Sequence, residues 1–97
     1  MYYRHFKGRY YQVVGEALDT TNDGRVIVYR TLYPSDYALF TRPYPEFHGV
    51  ATTAQGETVQ RFTPVEYADL PQDAKQMVVQ TIDAMDACNK ADGSNRF

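Results

Sequence analysis

Two stretches of the chain, Tyr10 to Leu18 and Arg25 to Tyr33, are dense in aromatic and β-branched residues, and that composition predicts strands. Between them Asp19-Thr20-Thr21-Asn22-Asp23-Gly24 collects turn formers, with Asn and Asp tolerant of left-handed backbone and Gly24 free to take positive φ. The pair therefore predicts an antiparallel hairpin. Pro34-Ser35-Asp36 breaks the next segment, and Ala38 to Arg42 predicts a third short strand before Pro43 and Pro45 interrupt the ladder. Fourth and fifth strands are expected around Val50–Thr53 and Val59–Phe62, separated by the turn Ala54-Gln55-Gly56-Glu57. Short strands punctuated by turns about every ten residues favour a small curled sheet or barrel over a layered α/β fold.

At Thr63 the period changes. Thr63-Pro64-Val65-Glu66 places a hydroxyl cap, a proline at the first helical position and a glutamate at the third, which matches a capping box. Pro71 restarts the helix, and Ala74, Met77, Val78, Ile82, Met85 and Cys88 recur at spacings of three and four to form one apolar stripe. Asp92-Gly93-Ser94-Asn95 ends it. The expected fold is mainly β with an α element: a five-stranded antiparallel barrel-like sheet over residues 1–62, a helical extension packed on it over 63–92, and a frayed tail over 93–97.

The 97 residues have room for one domain, whose small core would gain from oligomerisation. Met77, Val78, Ile82 and Met85 either cover the sheet of their own chain or meet the same stripe in a homodimer or a protein partner. A single cysteine, Cys88, excludes an intrachain disulfide and any Cys-rich zinc framework, which points to a reducing cytoplasm. No apolar run approaches the roughly 20 residues that span a bilayer, so no membrane partner is expected. Residues 1–62 hold seven Lys/Arg against six Asp/Glu and residues 63–97 three against six. That distribution disfavours a protein that wraps duplex DNA, where each phosphate contact needs a cation.

Candidate chemistry concentrates at the start. Tyr2-Tyr3-Arg4-His5-Phe6-Lys7-Gly8-Arg9-Tyr10-Tyr11 packs four tyrosines, a phenylalanine, a histidine and three cations into ten residues. Tyrosine offers a stacking face and a hydroxyl, while Arg4, Lys7, Arg9, Arg30, Arg42 and Arg61 pair with phosphates or carboxylates. The competing reading is structural, with alternating tyrosines filling the core. His5 sits between Arg4 and Lys7, where cations disfavour its charged form, and His48 follows Phe47 in a proline-rich loop. A catalytic histidine needs an orienting carboxylate, and Glu46 and Asp36 are the candidates whose approach to either ring the sequence does not show. Cys88 lies on the apolar stripe, as a packed thiol does, and the isolated histidines lack metal-ligand spacing, so no metal or cofactor is expected.

The run Tyr3-Arg4-His5-Phe6-Lys7-Gly8, followed by Tyr11, Val13-Val14, Ala17, Val28-Tyr29, Leu32-Tyr33, Arg42-Pro43, Phe47 and Arg61-Phe62, resembles the bacterial family called domain of unknown function 1653 over roughly residues 2–62. The resemblance implies a compact β-rich domain of bacteria and their phages and carries over no catalytic residues. Where that family has an acidic residue in its first hairpin turn and a tryptophan before Arg-Pro, this chain has Thr20-Thr21-Asn22-Asp23 and Phe40. Phe40 preserves a stacking face but lacks the indole donor.

These readings converge on a non-enzymatic binding module that presents Tyr3, Arg4, His5, Lys7, Phe40 and Arg42 to a nucleotide or short single-stranded nucleic acid. The alternatives are a homodimer or protein-interaction module built on the C-terminal stripe, and an enzyme using His5 or His48.

Overall fold

A computed structural model of the chain describes residues 1–80. Among them the strands are β1 (Tyr2–His5), β2 (Tyr10–Asp19), β3 (Gly24–Thr31), β4 (Phe40–Pro43), β5 (Val50–Thr52), β6 (Thr58–Gln60) and β7 (Phe62–Val65). A one-turn helix α1 (Tyr44–Phe47), a 3-10 turn (Tyr67–Asp69) and a second one-turn helix α2 (Gln72–Lys75) complete the described elements. No described helix is long and apolar enough to cross a membrane.

The β2–β3 hairpin forms where the sequence predicts it, in register from Tyr11 opposite Thr31 to Asp19 opposite Gly24, with an irregularity between Val13 and Gly15. Its turn is fixed by two side-chain acceptors: Asp19 Oδ1 takes the Thr21 N–H at 2.9 Å and Asn22 Oδ1 takes the Gly24 N–H at 2.8 Å. The left-handed residue is Asp23, at φ 56°, and not Gly24. Gly24 instead leaves room for the Asn22 carboxamide, whose oxygen would lie 2.8 Å from a Cβ at that position.

The five-stranded antiparallel sheet is real but is assembled differently from the expected one, in the order β4-β3-β2-β1-β7. The opening strip is itself a strand, and it lies inside the sheet between β2 and β7. Two of the expected strands, β5 and β6, leave the main sheet and pair only with each other. The sheet is open rather than closed into a barrel, and each of its edges carries a proline, Pro43 on β4 and Pro64 on β7. Proline has no N–H to donate, so it is tolerated at an edge and discourages further pairing.

The expected helix start at Thr63 is overturned. Thr63 and Pro64 pair with Arg4 and Tyr3 of β1, so the apparent capping box is extended edge strand. The long-range pairing supplies backbone partners that an isolated first turn would lack. Pro71 does precede a helix, but α2 stops after Lys75, and Met77 and Val78 follow in a turn and coil. Ile82, Met85 and Cys88 lie outside the described residues.

Directly paired residues share a face of a sheet, and both faces here are covered. On one side Tyr3, Ile27 and Tyr29 join Phe47 of α1 and Phe62, with Tyr11, Val13, Phe40 and Tyr44 packed around them. Phe47 is 0% exposed and its ring stacks on Phe62 at 4.1 Å between centroids. On the other side Leu32, Leu70 and Ala74 form a second cluster with Tyr2, Tyr10, Val65, Met77 and Val78 against it. The strip's tyrosines therefore alternate between two cores, as period-two side chains in a covered strand must.

Candidate functional site

The register of the sheet sorts the charged residues of the sequence by face. His5 pairs with Phe62 and Arg42 with Ile27, which puts His5, Arg42 and Phe40 on the face that carries α1. Arg4 pairs with Tyr10 and Thr63 on the opposite face and is exposed there. Lys7 lies in the tight turn after β1, which Gly8 closes with φ 105°. Tyr3 is buried, its ring edge-on to Phe47 at 5.1 Å. The structure thus brings His5, Phe40 and Arg42 to one face, keeps Tyr3 beneath it and sends Arg4 away.

Phe62 is the hub of this face. The His5 ring meets it edge-on at 4.9 Å between centroids, and the Arg42 guanidinium lies 5.8 Å from its centre. Arg61, next to Phe62 in the chain, donates through Nη2 to the Val50 carbonyl at 3.3 Å, and its main-chain N–H donates to the Gly49 carbonyl at 3.0 Å. Those bonds tie the arginine to the β5–β6 hairpin. Arg42 has a loose partner in Glu46 of α1, four residues on, at 3.8 Å. The Nε groups of Arg42 and Arg61 are buried yet bond to no protein atom. A buried donor without a partner loses its hydration uncompensated.

His5 reports the local field. Its Nδ1 accepts the Lys7 main-chain N–H at 3.1 Å, so the neutral ring carries its proton on Nε2. Burial, and then the positive charges of Arg42, Arg61 and Lys7, hold its pKa below 6.5. Among the described residues no carboxylate lies within ion-pair distance of His5, Lys7 or Arg61.

Aromatic side chains extend the face. Phe40 stacks on Tyr29 at 6.0 Å and meets the exposed Tyr37 edge-on at 6.3 Å. Tyr11 and Tyr33 share a hydroxyl hydrogen bond of 2.8 Å, and the Arg9 guanidinium lies 4.4 Å from the Tyr33 ring. Burial, reinforced by the bond to Tyr33, pushes the Tyr11 phenol above its ordinary value. Tyr33 and Tyr37 are additions that the tertiary structure makes to the candidate set, and it singles out Arg61 from the cations that the sequence offers. The only signal for these tyrosines in the sequence was residue type, since nothing local shows that Tyr33 reaches Tyr11 or that Tyr37 reaches Phe40.

His48 is exposed, its ring 4.5 Å from that of Tyr44, and no described carboxylate lies within ion-pair distance of it. Among the described residues no group of three His, Cys, Asp or Glu side chains could hold a metal ion. Of the apolar stripe, Met77 and Val78 pack against their own chain's second cluster.

A family model described as protein of unknown function, DUF1653, matches residues 1–64. Among solved structures, the crystal structure of a DUF1653 protein from Bordetella bronchiseptica is similar, with a TM-score of 0.60 and 32% sequence identity over 66% of this chain and 82% of that one. No curated protein matches.

Proposed function

This chain belongs to the DUF1653 family, and we propose that it is a non-enzymatic binding module that recognises a flat anionic ligand, a nucleotide or a short single-stranded nucleic acid. The observation that carries this reading is the gathering of His5 and Arg42 around Phe62, with the charge of Arg61 also acting on His5 and Glu46 as the carboxylate beside Arg42. The Arg42 side chain is part-exposed beside Phe62, and guanidinium N–H groups make strong charge-assisted bonds to an oxyanion. Phe40 and Tyr37 beside them supply faces for a base, and stacking contributes about 1–3 kcal/mol per base.

Lys7 adds charge at the rim, Tyr3 anchors the rings from below, and Arg4 stands outside the proposed site. Catalysis gains little support. Nδ1 of His5 is engaged by a main-chain N–H, and among the described residues neither histidine has a carboxylate within ion-pair distance. A cytoplasmic setting, rich in nucleotides, suits this reading.

Titration of labelled short oligonucleotides and of nucleotides at low and high salt tests it. Binding should weaken with salt, fall at least tenfold in an Arg42→Gln, Arg61→Gln double variant, and persist in Arg4→Glu. Equal affinity in the wild type and the double variant, or no binding of any of these ligands, would sink the proposal.

A further inference from the structure

The β7 edge of the sheet carries a cavity of about 330 Å³, lined by Met1, Tyr2, Pro64, Val65, Glu66 and Asp69. None of these residues belongs to the face of His5 and Arg42 described as the candidate anion site, and the volume suits a small ligand. We propose that this cavity binds a free organic amine, a primary ammonium carried on an apolar stem. Tyr2 and Val65 are directly paired across β1 and β7, so their side chains share one face and, with Met1 and Pro64, form the apolar part of the lining. Glu66 follows β7 at once and opens the 3-10 turn, in which the Asp69 N–H donates to the Glu66 carbonyl at 2.9 Å. Side chains three apart in such a turn eclipse one another, so both carboxylates leave the backbone on the same side.

The turn is anchored, since Leu70 is 4% exposed within the second cluster and its N–H donates to the Tyr67 carbonyl at 3.1 Å. Carboxylates on an anchored turn need little ordering to meet a ligand. Both are exposed, and among the described residues neither has a cation within ion-pair distance. Lys75 lies instead over the Tyr67 ring, 5.3 Å from its centre, and that ring is tilted against Tyr2 at 5.8 Å. The chain thus already seats one ammonium beside this pair of rings, as the negative face of an aromatic ring favours. A second ammonium in the cavity would meet the carboxylates with its charge and the apolar lining with its stem. An anion is repelled by Glu66 and Asp69, and a neutral apolar ligand gains nothing from them. Pro64, on the outer edge of the sheet, has no N–H to offer an added strand, which favours a free amine over the lysine of a docked peptide.

The test titrates hexylamine, hexanol and hexanoate into the full chain near neutral pH, where an alkylamine, like lysine with its pKa of about 10.4, is charged. The main-chain amide signals of Val65, Glu66 and Asp69 are followed by nuclear magnetic resonance. Hexylamine should shift them saturably and bind about threefold or more tightly than hexanol, while hexanoate should leave them unmoved. A Glu66→Gln, Asp69→Asn double variant, with folding checked by circular dichroism, should lose about three- to tenfold in hexylamine affinity, and each single variant part of that. Asp73 lies on α2 outside the lining, so Asp73→Asn should bind as the wild type does. Absence of a saturable shift, equal affinity for hexylamine and hexanol, or unchanged affinity in the folded Glu66 and Asp69 variants would overturn the proposal. An equal loss in Asp73→Asn would reduce the effect to general acidity and overturn it as well. Tighter binding of an end-blocked peptide containing one lysine would overturn the free amine as the occupant.

Discussion

The side-chain amide of Gln12 pairs with both main-chain polar groups of Val79, 67 residues further along: Nε2 donates to the Val79 carbonyl at 2.6 Å and Oε1 accepts the Val79 N–H at 2.9 Å. Gln12 is 3% exposed, and this pair of bonds satisfies one donor and one acceptor of its amide while holding the segment after α2 against the sheet. Met77 and Val78, just before Val79, pack on the second cluster. A helix that continued through residue 79 would have used that N–H internally, so the strap and the expected helix compete for the same backbone group.

Replacing Gln12 by Leu should therefore destabilise the chain by about 1–3 kcal/mol, the cost of leaving a part-buried peptide unit unpaired. Urea unfolding measures the loss. An unchanged midpoint would show that water replaces the glutamine without penalty.

Phe47 and Phe62 stack at the centre of the other cluster, and Phe47 is 0% exposed. Phe47→Ala should cost about 3–5 kcal/mol, a large part of the stability of a domain this size. Because His5 and Arg42 rest on Phe62, the same variant should also weaken ligand binding under conditions where it remains folded. Calorimetric unfolding and a binding titration separate the two effects.

Gly8 closes the β1–β2 turn at φ 105°, a backbone conformation that L side chains rarely adopt. Open space is not the obstacle, since a Cβ there would be 3.7 Å from the nearest atom, in the Arg4 side chain. Gly8→Ala should lower stability by about 1–2 kcal/mol through backbone strain alone. Gly56, at φ 84° with no neighbour within 4 Å, provides the control: an alanine there meets only the same strain. Similar losses at the two positions, measured by chemical denaturation, would confirm that cause.

The folded pKa of His5 lies below its unfolded value of 6.5 because of burial and then Arg42, Arg61 and Lys7. Between those two values the unfolded chain binds more protons than the folded one. Stability from this residue is thus present above pH 6.5 and lost as pH falls from there towards the folded pKa. An His5→Asn variant, which keeps an acceptor for the Lys7 N–H, should show a flatter melting temperature against pH over that window. Parallel profiles would refute the assignment.

Glu46 is the carboxylate opposing Arg42, at 3.8 Å with more than half of its side chain exposed. An exposed pair of this kind contributes about 0.2–1 kcal/mol. Glu46→Gln should therefore tighten phosphate-bearing ligands by about two- to fivefold with little effect on folding. Titration of adenosine monophosphate against both proteins tests it; weaker binding in the variant would mean that Glu46 orients Arg42 for the ligand.

The local sequence was enough for the β2–β3 hairpin, because Asp19 and Asn22 act on N–H groups two residues away and need no distant partner. It was also enough for membership of the family, through the run from Tyr3 to Gly8 and the pairs Arg42-Pro43 and Arg61-Phe62. It located the aromatic and cationic residue types without saying which of them meet. Pairing with β1 turned Thr63-Pro64-Val65 from a helix cap into an edge strand, and the Gln12 amide claimed Val79. Pairing also divided the opening strip, sending Arg4 to one face and His5 to the other, and let the charge of Arg61 act on His5 from 56 positions away in the chain. Periodicity fixes that neighbouring side chains point in opposite directions; only the sheet order decides what each direction faces.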